Sequence, residues 1–209
     1  PPGALDYKTR FQERAQAEFE DRYDLLKTVA AIDMVATYSA AFRRDVFIAI
    51  GLFDESFPVA NNEDVEFSYR LCAAGYILEF NPEALVYHRH PDSFTKYLRL
   101  KFKRGYWRMV VYRNYPGKAF KDTYTPIVIK LQTLTAAMSL PVTLSSLVFP
   151  KLLTVTVWLF LGIMASSAAF SIKTFKKDPV VGLVSPAVVL GRAIVFALGS
   201  FFGAFRRVK

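Results

Sequence analysis

The feature that most limits the folds open to this chain is a division of solvent along its length. Nearly all charge precedes Asp122, whereas residues 126–205 are dominated by Leu, Val, Ala, Phe and Ser, broken by a short basic knot at Lys173, Lys176 and Lys177. A chain of 209 residues suits one domain of ordinary size, or a smaller one joined to membrane spans. The division selects the second. Residues 127–149 and 152–172 each supply the roughly 20 apolar positions needed to cross a hydrocarbon core. Only Pro150 and Lys151 separate them, so a tight hairpin is expected. The polar bulk before the hairpin and the lysines after it put both ends in the cytosol by the positive-inside rule.

The last apolar stretch, 180–205, is harder to place. Pro186 and Arg192 fall inside it, and Arg206, Arg207 and Lys209 follow. A third span would carry that cationic end outside, so a re-entrant or interfacial segment is preferred to an ordinary crossing. Arg192 reads equally as a functional intramembrane charge or as a side chain snorkelling to phosphates.

The net charge of +9 is concentrated: between residues 89 and 121 many Lys and Arg face the single acid Asp92. A basic stripe that runs straight into apolar spans meets lipid headgroups, so its partner is the bilayer and not nucleic acid. Within it Phe94, Tyr97, Leu98, Phe102, Tyr106, Met109 and Val110 recur at helical spacing, with cations on the other faces. This predicts an amphipathic helix in the headgroup plane, with Trp107 as an interfacial anchor.

The polar part reads as α/β. Residues 5–27 form an exposed helical arm, and 31–42 a strand rich in small side chains. Residues 43–50 make a short helix stopped by Gly51. Asn61 and Asn62 are N-caps for a helix from Glu63 to Gly75, and 76–80 and 84–88 are strands about an Asn81-Pro82-Glu83 turn. Cys72 is alone, permits no internal disulfide, and reads as a buried structural thiol. Pro1-Pro2-Gly3 is not a translation start, so the chain is expected to be a fragment.

Short motifs recur in a fixed order: Gly51-Leu52-Phe53-Asp54-Glu55, Asn62-Glu63-Asp64, Tyr69-Arg70-Leu71, Ala74-Gly75-Tyr76, Asn81-Pro82 and His88-Arg89-His90-Pro91. The basic Lys103-Arg104-Gly105 and a Gly199 to Gly203 spacing follow. The ordered set resembles the C-terminal half of family-2 glycosyltransferases of GT-A fold, especially those with C-terminal membrane helices. The resemblance implies three regions. Residues 1–93 would be the acceptor-side half of a GT-A-like domain, 94–126 a basic amphipathic interfacial segment, and 127–209 an α-helical membrane region of two or three hydrophobic helices. It also implies inverting transfer of one sugar from a nucleotide-sugar donor to a membrane-associated acceptor, a polyprenyl phosphate or lipid-linked glycan, at the cytosolic face of the cell membrane.

The family's base falls on Asp64, with Glu63 beside it as a positioning partner. The chemistry agrees, because a hydroxyl attacks only as its proton is taken, and a carboxylate in a helix's first turn is held in place for that task. The helix dipole is expected to favour its ionised form. His88 and His90, two apart on a predicted strand, point to one face. The resemblance implies that His88 helps hold a divalent ion, Mn or Mg, on the donor diphosphate, and His90 is the second candidate ligand. Lys101, Lys103, Arg104 and Arg108 are expected to clamp an acceptor phosphate or the departing diphosphate. Arg70, Tyr38 and Ser39 complete the expected substrate contacts; Tyr38-Ser39 stands where many relatives carry a Gly-Asn-like pair. No Asp-x-Asp motif is present, so the donor site is expected to be incomplete. The Gln-x-x-Arg-Trp signature of processive synthases is missing around residues 101–107, which favours single-sugar transfer over a processive polysaccharide synthase. A non-catalytic membrane anchor or interaction module derived from such an enzyme is the other reading.

Overall fold

The computed structural model describes residues 10–58 and 60–206. The start of the expected helical arm, 5–9, and the basic residues Arg207 and Lys209 lie outside the described residues. In chain order the helices are α1 (Arg10–Leu26), α2 (Arg44–Ala49), α3 (Glu63–Ala73), α4 (Phe94–Asn114) and α5 (Pro116–Phe120). Then come α6 (Ile127–Ser145), α7 (Leu152–Ala165), α8 (Ala168–Phe175) and α9 (Pro179–Ala204).

The α/β expectation is overturned. Among the described residues there is no strand, and a lone antiparallel bridge joins Ile32 to Leu78. A strand exists through a ladder of partners, whatever its local propensity. Here the backbone after Ile32 is claimed by side chains instead. The Asp33 amide donates to Thr123 Oγ1 at 2.9 Å and the Val35 amide to Ser68 Oγ at 3.0 Å. Asp33 itself accepts from Thr123 and from Lys118 Nζ at 2.7 Å. Thr37–Ser39 then closes a 3₁₀ turn. Residues 84–88 take no regular structure and are exposed. A GT-A-like sheet is therefore not seen.

α1 is also not the exposed arm its charge implies. Arg14 is 1% exposed and Glu18 8%. Charges this deep are tolerated only when paired. Glu18 Oε1 accepts from Tyr97 OH (2.6 Å), Arg14 Nη1 (3.0 Å) and Arg192 Nη1 (3.1 Å), while Oε2 accepts from Lys101 Nζ at 2.9 Å. Burial alone would raise the Glu18 carboxyl. Lys101, Arg14 and Arg192 outweigh it and hold the group well below the usual range. One carboxylate thus ties α1, α4 and α9 together. Arg192, which also donates to Gln132 of α6, is a buried tie and not a snorkelling charge.

α4 runs parallel to α9. Gly191 meets Phe94 and Leu98, Gly199 meets the Phe102 carbonyl, and Gly203 meets that of Tyr106. A Cβ at Gly199 or Gly203 would overlap those carbonyl oxygens, so the four-residue glycine spacing is a packing surface. Arg113 completes the pair by donating to the Gly203 carbonyl at 3.2 Å, and to those of Ala204 and Arg206, at the α9 C-terminus. Gly199→Val is expected to cost roughly 1–3 kcal/mol by overpacking, read as a lower midpoint for thermal aggregation in detergent.

Trp107 is not a membrane anchor. It is 6% exposed, packs on Phe57 at 5.1 Å, and belongs to a core with Val65, Phe67, Tyr69, Leu71, Val110 and Val111. Cys72 is half-buried against that core.

α6 and α9 are long and apolar enough to cross a membrane, and α7 with α8 would make a third if the bent pair is one span. The second predicted span is broken by 47° between α7 and α8. Ser166 and Ser167 sit at the break and donate to the carbonyls of Ile163 and Met164, each at 2.6 Å. α9 is continuous rather than re-entrant. Asp178 starts it by accepting from the amides of Val180 and Val181, ahead of Pro179 at the first helical position.

Candidate active site

The N-terminus of α3 lies against α4. Asn62 takes a left-handed conformation (φ 71°), which Asn tolerates better than most residues. Its side chain does not cap α3 as expected. Instead Nδ2 donates to Asn61 Oδ1 at 3.0 Å and to the Arg104 carbonyl at 3.2 Å, stapling the first turn of α3 to the middle of α4.

Asp64 follows directly. Its Oδ1 accepts from the Val65 amide at 2.9 Å. Burial pushes its carboxyl above the ordinary aspartate value and outweighs Arg108 and Arg104, which pull it down. Desolvation therefore wins over the helix dipole, opposite to the expectation for a solvated first turn. Glu63 is raised as well, by burial and then by the neighbouring Asp64 charge. Its Oε2 is buried without a hydrogen-bond partner among the described residues.

Arg104 and Arg108 are one turn apart on α4, hence on one face. Arg108 is only 8% exposed, and its Nε and Nη1 have no hydrogen-bond partner among the described residues. No described carboxylate lies within salt-bridge distance of either guanidinium. Two cations in electrostatic reach of Asp64 are thus available for an anion.

Beyond Arg104 lie the imidazoles. Burial, and then Arg104, push His88 below its ordinary value. Its ring stacks on Tyr38 at 4.7 Å, and Tyr38 OH hydrogen-bonds Tyr23 OH at 2.6 Å. His90 lies 5.2 Å from His88, centroid to centroid, and its Nε2 donates to Gln16 Oε1 at 2.8 Å. The two rings come together without a strand.

The surroundings do not favour a metal there. Among the described residues no three His, Cys, Asp or Glu could hold one. The Mg and Mn ions expected of the site prefer oxygen ligands, whereas one imidazole is engaged by Gln16 and the other lies beside a guanidinium.

Asp64, Glu63, Arg104 and Arg108 are therefore brought together, with Tyr38, His88 and His90 reached through Arg104. Others are not. Lys101 is consumed by Glu18, and Lys103 points to solvent. Arg70 spends its guanidinium on the carbonyls of Ile50 (2.6 Å) and Leu52 (2.7 Å) and on Glu66, holding the loop after α2. Ser39 is half-buried and contributes an amide to the 3₁₀ turn. Sequence reasoning missed Phe19, whose ring packs on both imidazoles, and Tyr23, which holds the Tyr38 hydroxyl from α1. Their signal was two aromatics one turn apart on an otherwise charged helix.

The model of glycosyl transferase family group 2 matches residues 4–175, most of the chain. The chain belongs to that family. No curated protein and no solved structure matches it. The matched part of this family-2 glycosyltransferase takes in the Asp64 site and the hydrophobic hairpin alike. Sugar transfer between a donor and an acceptor is accordingly its family-level activity, and its two or three apolar helices are consistent with a membrane protein.

Proposed function

We propose that the glycosyltransferase moves a single sugar, with inversion, from a nucleotide-sugar to a hydroxyl of a membrane-associated acceptor at the cytosolic face. The observation that carries the reading is Asp64, a backbone-fixed carboxylate whose affinity for a proton is raised by burial beside two guanidiniums. As the acceptor oxygen bonds to the anomeric carbon, its proton passes to Asp64 and the bond from that carbon to the diphosphate breaks. A raised pKa brings a general base closer to working pH. Arg104 and Arg108 are suited to the charge on the leaving diphosphate. A phosphate acceptor is already ionised near neutral pH and needs no base, so the hydroxyl of a lipid-linked glycan fits better than a polyprenyl phosphate.

The test is the pH dependence of transfer in membranes containing the full-length enzyme. Activity is expected to rise through an acid limb above the ordinary aspartate value of about 3.9. Arg104→Gln removes a charge that favours ionised Asp64, so the limb is expected to move to higher pH. A limb that stays in place in Arg104→Gln would detach Asp64 from it.

The packing also bears on topology. α4 keeps Lys103 exposed and Lys96 65% exposed while lying along α9, and α1 flanks the start of α9 with a pair between Arg10 and Asp178. Crossing the bilayer would drag these charges through hydrocarbon. We read α9 as lying in the interface with α4, above a hairpin of α6 and α7. A cysteine at Lys151 is expected to be labelled from outside the cell and a C-terminal reporter to remain cytosolic; an external reporter would overturn this arrangement.

A further inference from the structure

A cavity of about 350 Å³ opens where α1 meets the hydrophobic helices, within the roughly 300–1,000 Å³ range of small-molecule sites. Neither Asp64 nor His88 lines it. Its wall is apolar, made by Leu25, Val128, Ile129, Phe170 and Val189, and its polar end by Glu18, Asp21, Arg22, Gln132 and Arg192.

The charges at that end are unequally satisfied. Glu18 is neutralised by Arg14, Lys101 and Arg192, Gln132 accepts from Arg192, and Asp21 pairs with Lys173. Arg22 differs. It is 7% exposed, its Nη1 donates to Tyr124 OH at 2.7 Å, and its guanidinium lies over the Tyr124 ring at 4.2 Å. Its Nε is buried with no hydrogen-bond partner, and no carboxylate among the described residues lies within salt-bridge distance. An unspent cation at the end of an apolar slot is complementary to a molecule with a hydrocarbon chain and an anionic head. The slot's apolar wall includes the first turn of α6, where the hydrophobic hairpin begins.

We propose that this cavity holds the chain of an anionic membrane lipid, with its phosphate set against Arg22. The site goes beyond the sugar-transfer reading and does not require the lipid to be the acceptor. Val128 is 42% exposed, so Val128→Trp fills the slot from its rim with little disturbance to the core. The experiment titrates the purified protein in mild detergent with phosphatidylglycerol or phosphatidylcholine and follows bound lipid by native mass spectrometry.

Phosphatidylglycerol is expected to bind at least about tenfold more tightly than phosphatidylcholine, and Val128→Trp and Arg22→Gln each to weaken it by about tenfold or more. Arg22→Lys, which keeps the charge, is expected to retain most binding and guards against misfolding of Arg22→Gln. Millimolar inorganic phosphate is expected not to displace the lipid. Wild-type binding by Val128→Trp, equal binding of both lipids, or displacement by phosphate alone would each overturn the site. Asp64→Asn is expected to keep the lipid while losing turnover, so failure here and failure of the sugar-transfer reading give different results.

Discussion

Glu18→Ala is expected to cost roughly 3–5 kcal/mol of stability, the range for removing one partner of a buried ionic cluster. The loss is large because three cations stay behind. Arg14, Lys101 and Arg192 remain buried on three helices with their shared carboxylate gone, and Tyr97 loses its acceptor. Heating the detergent-solubilised variant and following monodisperse protein by fluorescence size exclusion is expected to show a clear drop in midpoint. An unchanged midpoint would mean that the cluster contributes little to the joint between α1, α4 and α9. The same carboxylate gives a pH prediction. Its folded-state pKa is depressed, so its stabilising contribution is present above the unfolded value of about 4.3 and is lost as pH falls through the folded one.

Much of the helical framework was legible because its signals are local. The apolar stretch 180–205 marks α9, and the apolar spacing from Phe94 to Val110 marks α4. The partners of those helices were not legible. A basic amphipathic helix in isolation satisfies its apolar face with lipid, whereas here Gly105, Gly199 and Gly203 let two backbones meet. α1 failed for the same reason. Its charges read as a solvated surface because, Arg14 apart, Glu18 finds its partners 79 to 174 residues away. The strands failed because residues 76–80 and 84–88 have suitable composition without a ladder to join. At the site, motif order located Asp64 and the imidazoles. The burial of Arg108 and the raised pKa of Asp64 depend on how α3 is stapled to α4 by Asn62, which no local pattern encodes.

Asp64→Asn is expected to remove transfer while sparing the fold. The amide oxygen of Asn occupies the same volume and still accepts from the Val65 amide, so the first turn of α3 keeps its geometry. What disappears is a group able to take a proton, a contribution of roughly 10²–10⁴-fold for general base catalysis. Glu63→Gln is expected to do less, since Glu63 stands beside the base as a positioning partner and does not itself take the proton. The decisive measurement is turnover of Asp64→Asn against wild type in the full-length enzyme, in membranes matched for protein level. The expected result is a fall of roughly 10²–10⁴-fold with donor binding intact; turnover near the wild-type level would contradict Asp64 as the base.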